Sequence, residues 1–208
     1  MEQPLVTHFS DALVLLDLFG IAVFAISGAL LAAEKRLDFV TFVFFAAVTG
    51  VGGGTLRDLL IGAPVFWVRT NATLVICIVA ALAVWIAKSG RLSRTAIDWF
   101  DAAGLAAYAT YGSAKALGFG VAPVPAFAMG VLTACFGGIV RDVLAGEPTI
   151  LMRKELYVTP AALAAGLFVA LNVVGAPLAP AAALAAMAGF ALRAGAMVWG
   201  WSLPAFKD

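Results

Sequence analysis

An internal repeat constrains this chain more than any other feature of its sequence. Shifted by 84 residues, the 208-residue sequence matches itself without a gap. The most specific match is Gly-Gly-x-x-Arg-Asp-x-Leu-x-Gly-x-Pro, which begins at Gly53 and again at Gly137. Alanine matches carry little weight in so alanine-rich a chain, but a shared register of glycine, charge and proline is hard to obtain by chance. The repeat therefore indicates two copies of one structural unit.

The composition places both copies in a membrane. Apolar residues make up 63% of the chain and charged residues only 12%, against about 45–50% and about 25% in an ordinary soluble domain. The mean hydropathy is +1.04. A membrane helix needs roughly 20 apolar residues, so we predict a single membrane domain over 1–208. The predicted spans are 12–33, 39–63, 66–87, 97–118, 121–146, 156–176 and 179–201.

The spans and the repeat together predict the topology. Repeat 1 covers 12–87 and repeat 2 covers 96–176, and each holds three spans. Because three is odd, the second copy enters the membrane from the opposite side, as in channels and transporters with a pathway at the repeat interface. The predicted fold is an all-α polytopic membrane protein, with seven transmembrane helices arranged as two inverted three-helix repeats plus a seventh helix at 179–201.

Lysine and arginine predict the orientation. Eight of them fall in the connections after spans 1, 3 and 5 and in the C-terminal tail, whereas one clearly falls on the opposite side. Since basic loops stay in the cytoplasm, we expect the C-terminus in the cytoplasm and the N-terminus outside. The eight are Lys35, Arg36, Lys88, Arg91, Arg94, Arg153, Lys154 and Lys207, and the one is Arg69.

Glycines in spans 2 and 5 are the strongest local signal. Gly52, Gly53 and Gly54 lie in span 2, and Gly137 and Gly138 follow in span 5. Each glycine weakens a helix by about 0.8–1 kcal/mol relative to alanine, so both helices are predicted to bend or break there. A broken helix exposes carbonyl oxygens that suit a cation, and the alternative is close packing through small residues. Further candidate pathway residues nearby are Thr49, Thr55 and Thr133.

Charged residues inside the spans are a second group of candidates, because a charge at the bilayer centre costs at least about 2.5–3.5 kcal/mol. Arg57 and Asp58 in span 2 are repeated as Arg141 and Asp142 in span 5. Adjacent residues on a helix point apart, so each is expected to need a partner on another helix. We interpret the four either as ion pairs at the repeat interface or as part of a pathway.

Four other charged positions leave alternatives open. Asp17 and its repeat equivalent Asp101 lie about one turn into their spans, where they either stabilise a helix start or line the pathway. Lys115 lies near the outer end of span 4, at a position where repeat 1 has leucine. It either reaches the outer membrane interface or projects into the pathway. Arg193 lies mid-span in helix 7, where a subunit contact and a lipid-facing role are equally open.

Enzyme and metal chemistry lack the residues they need. The chain has a single histidine, His8, so neither a nucleophile–histidine pair nor a His/Cys metal cluster is expected. Cys77 and Cys135 lie in apolar runs and are interpreted as small buried hydrophobes. With net charge +1 and no basic tract, the sequence predicts no nucleic-acid partner. We expect no cofactor and no metal beyond a permeant ion.

The glycine and charge motifs carry a family resemblance. The runs Gly52-Gly53-Gly54-Thr-Leu-Arg57-Asp58 and Gly137-Gly138-Ile-Val-Arg141-Asp142 resemble the prokaryotic branch of the trimeric intracellular cation (TRIC) channel family. The resemblance covers essentially the whole chain. It implies a homotrimer in the inner membrane of a prokaryote, with an hourglass pore inside each protomer. Spans 1, 2, 4 and 5 would line this pore, with helices 2 and 5 kinked at the glycines, and monovalent cations, chiefly potassium, would pass it by passive diffusion.

The resemblance also bears on Lys115. Animal relatives carry Lys-Glu-Val in span 4, where the lysine takes part in gating, and the match here is Lys115-Ala116-Leu117. The second glycine motif reads Phe136-Gly137-Gly138, one glycine short. The same bacterial domain has also carried a glycine transporter label. The alternative function is therefore a secondary transporter of a small solute such as glycine.

Overall fold

Helices account for most of the described chain. The computed structural model describes residues 11–87, 94–152 and 155–204. These residues form seven α-helices, which confirms the all-helical prediction for this part of the chain. The helices are α1 (Asp11–Glu34), α2 (Phe39–Leu60), α3 (Asn71–Ile86), α4 (Arg94–Gly118), α5 (Pro123–Leu144), α6 (Val158–Val173) and α7 (Leu178–Trp199). Two 3₁₀ turns, Phe66–Val68 and Ile150–Met152, precede α3 and α6.

The helices differ in how well they suit a membrane. By length and composition, α1, α2, α5 and α7 can each cross a bilayer. The apolar helices α3 and α6 have 16 residues each, so at 1.5 Å per residue each is about 24 Å long. α4 has 25 residues but carries charged side chains along its length. The predictions that concern His8, Lys88, Arg91, Arg153, Lys154 and Lys207 lie outside the described residues.

The repeat is visible in the element boundaries. α5 begins and ends 84 residues after α2 (123 − 39 and 144 − 60), and the two 3₁₀ turns have the same offset (150 − 66 and 152 − 68). The predicted start of span 3 at residue 66 is wrong, because that stretch forms the separate 3₁₀ turn. α3 begins after Thr70, whose hydroxyl accepts a hydrogen bond from the Ala72 backbone N–H at 3.1 Å and caps the helix.

Local signals set the ends of α2 and α5. Asp38 caps α2 by accepting hydrogen bonds from the backbone N–H of Thr41 at 3.0 Å and from its hydroxyl at 2.8 Å. Both helices end at a glycine of the repeated motif, Gly62 with φ +67° and Gly146 with φ +66°. This left-handed conformation favours glycine and ends a helix. The glycine in the Gly-x-Pro part of the motif therefore has a structural role.

The two repeats meet where α2 crosses α5. A Cβ atom on Gly53 would overlap the carbonyl oxygen of Thr133, and one on Gly137 would lie 2.5 Å from the carbonyl oxygen of Thr49. These two contacts are equivalent under the 84-residue shift, and residue numbers rise along one helix as they fall along the other. The helices are therefore antiparallel, as inverted repeats require. α7, which is outside the repeat, packs against α4 and α6.

The glycines do not interrupt their helices. α2 is continuous from Phe39 to Leu60, and α5 from Pro123 to Leu144. Of the two predicted alternatives, a bend or a break, the continuous helices exclude the break, and the bend remains. Close packing explains Gly53 and Gly137, because each lies against backbone of the other helix. Gly52 has more room, since a Cβ there would lie 3.8 Å from the nearest atom of the facing helix, the Gly137 Cα atom.

Candidate functional site

Two charged clusters lie on opposite sides of the α2–α5 crossing. The contacts of Gly53 and Gly137 centre the crossing on residues 51 and 135. Arg57 and Arg141 each lie six residues further along their antiparallel helices, about 9 Å at 1.5 Å per residue. The Lys115 cluster comprises Asp17, Arg57, Asp58, Phe66, Tyr111 and Lys115. The Asp101 cluster comprises Ser27, Asp101, Arg141, Asp142 and Ile150.

Each cluster contains the same ion pair between an arginine and the aspartate that follows it in the sequence, here called the clasp. Arg57 Nε donates to Asp58 Oδ1 at 2.8 Å, and Arg141 Nε donates to Asp142 Oδ1 at 2.9 Å. The expectation that these neighbours point apart is therefore wrong for both pairs, whereas each pair does have a partner on another helix, Lys115 at Asp58 and Asp101 at Arg141. A long arginine side chain can fold back over the last helical turn, where its adjacent carboxylate is within reach.

The aspartate of each clasp also fixes the turn that follows. Asp58 Oδ2 accepts a hydrogen bond from the backbone N–H of Phe66 at 3.1 Å, and Asp142 Oδ2 accepts one from Ile150 at 2.9 Å. Both acceptors and both donors are equivalent under the 84-residue shift. The clasp thereby ties the end of α2 or α5 to the 3₁₀ turn eight residues later.

Lys115 points into the bundle and not toward lipid. The residue is 6% exposed, and its Nζ lies 2.8 Å from Asp58 Oδ1 and 2.9 Å from Asp58 Oδ2. Its ammonium also lies 5.6 Å from the centre of the Phe66 ring. In this conformation Lys115 joins α4 of the second repeat to the clasp of the first. In this arrangement Lys115 does not reach the outer membrane interface, which was the alternative.

Arg57 is buried among aromatic rings. It is 1% exposed, and its guanidinium carbon lies 5.1 Å from the Tyr111 ring centre and 5.8 Å from that of Phe66. Its Nη1 atom has no hydrogen-bond partner among the described residues. Asp17 is half-buried in the same cluster, and its Oδ1 atom has no such partner either. The cluster therefore holds an unused donor and an unused acceptor.

In the Asp101 cluster the arginine bonds to the aspartate of a neighbouring helix, and the equivalent Arg57–Asp17 bond is not formed in the Lys115 cluster. Arg141 Nη1 donates to Asp101 Oδ1 at 2.9 Å and also to the Ser27 hydroxyl. Asp101 is 0% exposed and Arg141 is 1% exposed. The second oxygen of Asp101, Oδ2, has no hydrogen-bond partner among the described residues. The aspartate–arginine pair is thus formed at one end of the crossing.

Two substitutions between the repeats account for this asymmetry. Ser27 on α1 is replaced by Tyr111 on α4, and Leu31 by Lys115. These positions are four residues apart, so they lie on one helical face. In the Asp101 cluster the small Ser27 side chain leaves room for Arg141 to reach Asp101. In the Lys115 cluster the Tyr111 ring stacks on Arg57 instead. Sequence analysis identified Lys115 but missed Ser27 and Tyr111, although the 84-residue alignment pairs them directly.

Arg193 lies beside the Asp101 cluster. It is 0% exposed, so the lipid-facing and subunit-contact alternatives are both wrong for it. Its Nη1 donates to the Leu156 carbonyl oxygen at 2.7 Å and to Glu155 Oε2 at 3.2 Å. Its guanidinium carbon lies 5.4 Å from the Tyr157 ring centre. Arg193 therefore ties α7 to the segment that leads into α6.

The threonines near the crossing bond to their own helices. The hydroxyls of Thr49, Thr55 and Thr133 donate to the carbonyl oxygens of Phe45, Val51 and Met129, four residues earlier in each case. Thr55 also accepts a hydrogen bond from the Trp67 indole N–H at 2.9 Å. These hydroxyls keep an acceptor lone pair but have no free proton.

A surface network connects three segments at the end of the bundle where the α1–α2 and α5–α6 connections lie. Glu147 pairs with Lys35 and, at 3.0 Å, with Arg94, which in turn pairs with Glu34 at 3.0 Å. The Lys35 hydrogen bond, followed by that of Arg94, lowers the pKa of Glu147 below its usual value. The Thr41 backbone hydrogen bond lowers the pKa of Asp38. This network bridges the two repeats outside the buried clusters.

Comparison with protein families reproduces the repeat. A family model described as "Glycine transporter" matches residues 14–89 and again 98–173, two stretches that are 84 residues apart. A UPF0126 membrane protein of Vibrio cholerae is 40% identical over 95% of this chain and 84% of its own length. The UPF0126 inner membrane protein YadS of Escherichia coli is 38% identical over 92% of this chain and 94% of its own.

Solved structures share the fold. A TRIC trimeric intracellular cation channel orthologue from Rhodobacter sphaeroides has a TM-score of 0.88 and 46% identity, over 91% of this chain and 98% of its own. A prokaryotic TRIC channel solved in 0.5 M KCl has a TM-score of 0.84 and 27% identity, over 92% of this chain and 98% of its own.

Fold, clusters and comparisons together define a class of protein. It is a polytopic helical membrane protein whose inverted repeats cross at glycines between two buried charged clusters. Family-model matches cover more than half of the chain, and relatives above 30% identity match nearly all of it. The chain belongs to the prokaryotic TRIC channel family.

Proposed function

We propose that this protein is a passive channel for monovalent cations, chiefly potassium. The pathway would run inside each protomer between α1, α2, α4 and α5, past both charged clusters. The observation that carries the proposal is the presence of equivalent clasps on either side of the α2–α5 crossing, each with buried carboxylates. The two relatives of known structure are described as TRIC channels, and the one from Rhodobacter sphaeroides as a cation channel orthologue. Carboxylate and carbonyl oxygens are suitable ligands for a hard cation.

Lys115 explains how such a pathway would be closed. An ammonium about 4 Å from a passing cation repels it by about 4 kcal/mol at an effective dielectric constant near 20, which lowers occupancy about a thousandfold. In the conformation described, Lys115 is held by Asp58. Conduction would require the lysine to swing aside on its flexible stem. The α2–α5 crossing, where the glycines leave no room for a Cβ atom, would be the waist of an hourglass pore.

Orientation and assembly complete the proposal. The excess of lysine and arginine in the connections after spans 1, 3 and 5 favours a cytoplasmic C-terminus, in the inner membrane of a prokaryote. The Lys115 cluster would then lie toward the outside and the Asp101 cluster toward the cytoplasm. The Rhodobacter sphaeroides relative is described as trimeric, and we propose a homotrimer here.

Flux into liposomes tests the channel. Purified protein should carry potassium down its gradient without a coupling ion or a second substrate, and should pass sodium but exclude chloride. Gly53→Leu fills the crossing and should remove the flux. Its control, Gly52→Ala, should retain it. Folded wild-type protein that passes no cation would contradict the proposal.

A second candidate is transport of a small zwitterion such as glycine. The unused Arg57 Nη1 donor and the unused Asp17 Oδ1 acceptor lie in one cluster, and such a pair can hold a carboxylate and an ammonium group. The name of the matching family model points to the same solute. Uptake of labelled glycine that depends on a proton or sodium gradient, is lost in Asp17→Asn and occurs without potassium conductance would favour this candidate.

A further inference from the structure

Arg193 has hydrogen-bonding capacity that its visible contacts do not use. Its Nη1 atom bonds to Leu156 and Glu155, but Nε and Nη2 have no partner among the described residues. The side chain is 0% exposed. Buried donors of a charged group are seldom left unpaired, because each loses its bonds to water. Two unused N–H groups on a buried guanidinium therefore indicate a partner that is engaged in another conformation or through water.

Asp101 has the complementary unused group. One of its oxygens is bonded to Arg141 at 2.9 Å, while Oδ2 has no partner in the part of the chain that the structure describes. Tyr157, directly before α6, connects the two residues. Its ring lies 5.4 Å from the Arg193 guanidinium carbon, and a Cβ atom on Gly138 would lie 2.8 Å from its hydroxyl and 3.0 Å from Asp101 Oδ1. The Tyr157 hydroxyl also has no hydrogen-bond partner among the described residues. Donors and an acceptor without partners thus collect at one place.

The need for a second cation follows from burial. If the Arg141–Asp101 pair separates, Asp101 becomes a buried charge without a partner, and breaking a buried pair in this way is strongly destabilising. Asp17, the equivalent residue in the other cluster, lies in a group that already contains two cations, because both Arg57 and Lys115 pair with Asp58 there. The Asp101 end therefore needs a receiving cation that the Lys115 end does not need.

We infer that Arg193 is a positioning residue that receives Asp101 when the Arg141–Asp101 pair opens. The inference rests on the proposed channel function, and it assigns a gating role to α7, the helix outside the repeat. In the closed arrangement Asp101 binds Arg141, and Arg193 holds only the α6 entry segment. In the open arrangement Asp101 rotates to the free Nε and Nη2 atoms of Arg193, which draws its carboxylate away from Arg141 and clears the pathway.

Substitution of Arg193 tests the inference by single-channel recording. Arg193→Met removes the receiving charge and both donors, and should lower the open probability about 10- to 100-fold, the range expected for a lost hydrogen bond to a charged group. Arg193→Lys keeps the charge and should recover part of the open probability. If Arg193→Met folds and gates like the wild type, the inference is wrong.

A second background separates gating from simple anchoring of α7. In Asp101→Asn there is no carboxylate charge to transfer, so adding Arg193→Met should change the open probability less than twofold. If Arg193 acts only through Leu156 and Glu155, the added substitution should instead reduce the open probability as much as it does alone. That second result overturns the inference.

Thiol labelling provides a readout that does not depend on conduction. Ser27→Cys, in a protein whose Cys77 and Cys135 are replaced by alanine, places a thiol beside Arg141. Its rate of modification by a water-soluble reagent reports how often the Arg141–Asp101 pair opens. Arg193→Met should slow this labelling, and an unchanged or faster rate contradicts the inference. Wild-type protein without cation flux would contradict the channel proposal alone, because the labelling result stands by itself.

Discussion

At the scale of the residue, the two halves of the molecule differ most at two positions on one helical face. Ser27 and Leu31 of α1 correspond to Tyr111 and Lys115 of α4. The smaller serine admits the Arg141–Asp101 pair, whereas the Tyr111 ring covers Arg57. Equivalent arginines are therefore held differently by the same backbone. A symmetric scaffold thus acquires two different charged clusters by changing two side chains.

The first prediction concerns Lys115. Lys115→Gln removes the positive charge from the proposed pathway while Asp58 keeps its bonds to Arg57 and to the Phe66 backbone, so the protein should fold. We expect a higher open probability and a weaker voltage dependence, because a full charge crossing 100 mV contributes about 2.3 kcal/mol. Planar-bilayer recordings measure both quantities.

The control for this prediction is Lys35→Gln. Lys35 has a side chain that is 33% exposed and pairs with Glu147, far from the Lys115 cluster. Its loss should leave the voltage dependence unchanged. If Lys115→Gln gates as the wild type does, Lys115 has no part in the pathway.

At the scale of the element, the α2–α5 crossing depends on two glycines and not on all five. Gly53 and Gly137 lie against backbone of the facing helix, where no side chain can move aside. Gly54 lies under the Phe66 ring, and Gly138 lies under the Tyr157 hydroxyl. Close approach of the helices, not helix weakness, is therefore the principal role of the repeated glycines.

The second prediction is a contrast between neighbouring glycines. Gly53→Ala forces α2 away from Thr133 and should destabilise the protein by about 1–3 kcal/mol, as overpacking does. Gly52→Ala meets its nearest neighbour at 3.8 Å, so it should leave the protein near the wild type. Thermal unfolding in detergent and potassium flux in liposomes check the pair. Equal behaviour of the two variants would show that the crossing adjusts freely.

Sequence reasoning predicted elements better than contacts. Hydropathy and the 84-residue register predicted seven helices, and the bounds of α2 and α5 follow that register. The start of α3 was wrong because hydropathy cannot distinguish an apolar 3₁₀ turn from a helix, although Thr70 is a recognisable cap. The Arg57–Asp58 clasp was missed because helix geometry alone ignores how far an arginine reaches. The burial of Arg193 depends on where α7 packs. Because α7 lies outside the repeat, the repeat predicts nothing about its position.

The third prediction concerns the Glu147 network. Because the pKa of Glu147 is lowered on folding, its stabilising effect is present above the ordinary glutamate value of 4.5 and is lost as the pH falls through the lowered folded value. Between pH 7 and pH 5 the network should therefore contribute a constant amount. Below that range the wild type should lose stability faster than Glu147→Gln.

The measurement is the thermal midpoint of both proteins at a series of pH values. Other carboxylates, Asp38 among them, also protonate in acid, so the difference between wild type and Glu147→Gln isolates Glu147. Curves that stay parallel at every pH would mean that the network does not stabilise the fold. Raised salt should reduce the difference, because exposed pairs are screened.

At the scale of the whole molecule, inverted repeats place one clasp toward each side of the membrane, and α7 breaks the symmetry. Repeats related by the 84-residue shift supply Asp58 and Asp142 at opposite ends of the crossing. The seventh helix contributes Arg193 to only one of these ends. An odd number of spans also puts the two termini on opposite sides. Which of the two charged clusters faces the outside therefore depends on the orientation of the chain.

The last prediction is that orientation. Asp11 and Leu203 are both exposed, at the start of α1 and after α7, so Asp11→Cys and Leu203→Cys place reporters near the two ends without disturbing the core. In a protein without Cys77 and Cys135, a membrane-impermeant thiol reagent added to intact cells should label residue 11 but label residue 203 only after the membrane is opened. The physical reason is that most of the lysines and arginines in the connections lie on the same side as the C-terminus, and positively charged loops resist translocation. Labelling of both residues from outside would contradict the seven-span topology, and the reverse pattern would place the Lys115 cluster toward the cytoplasm.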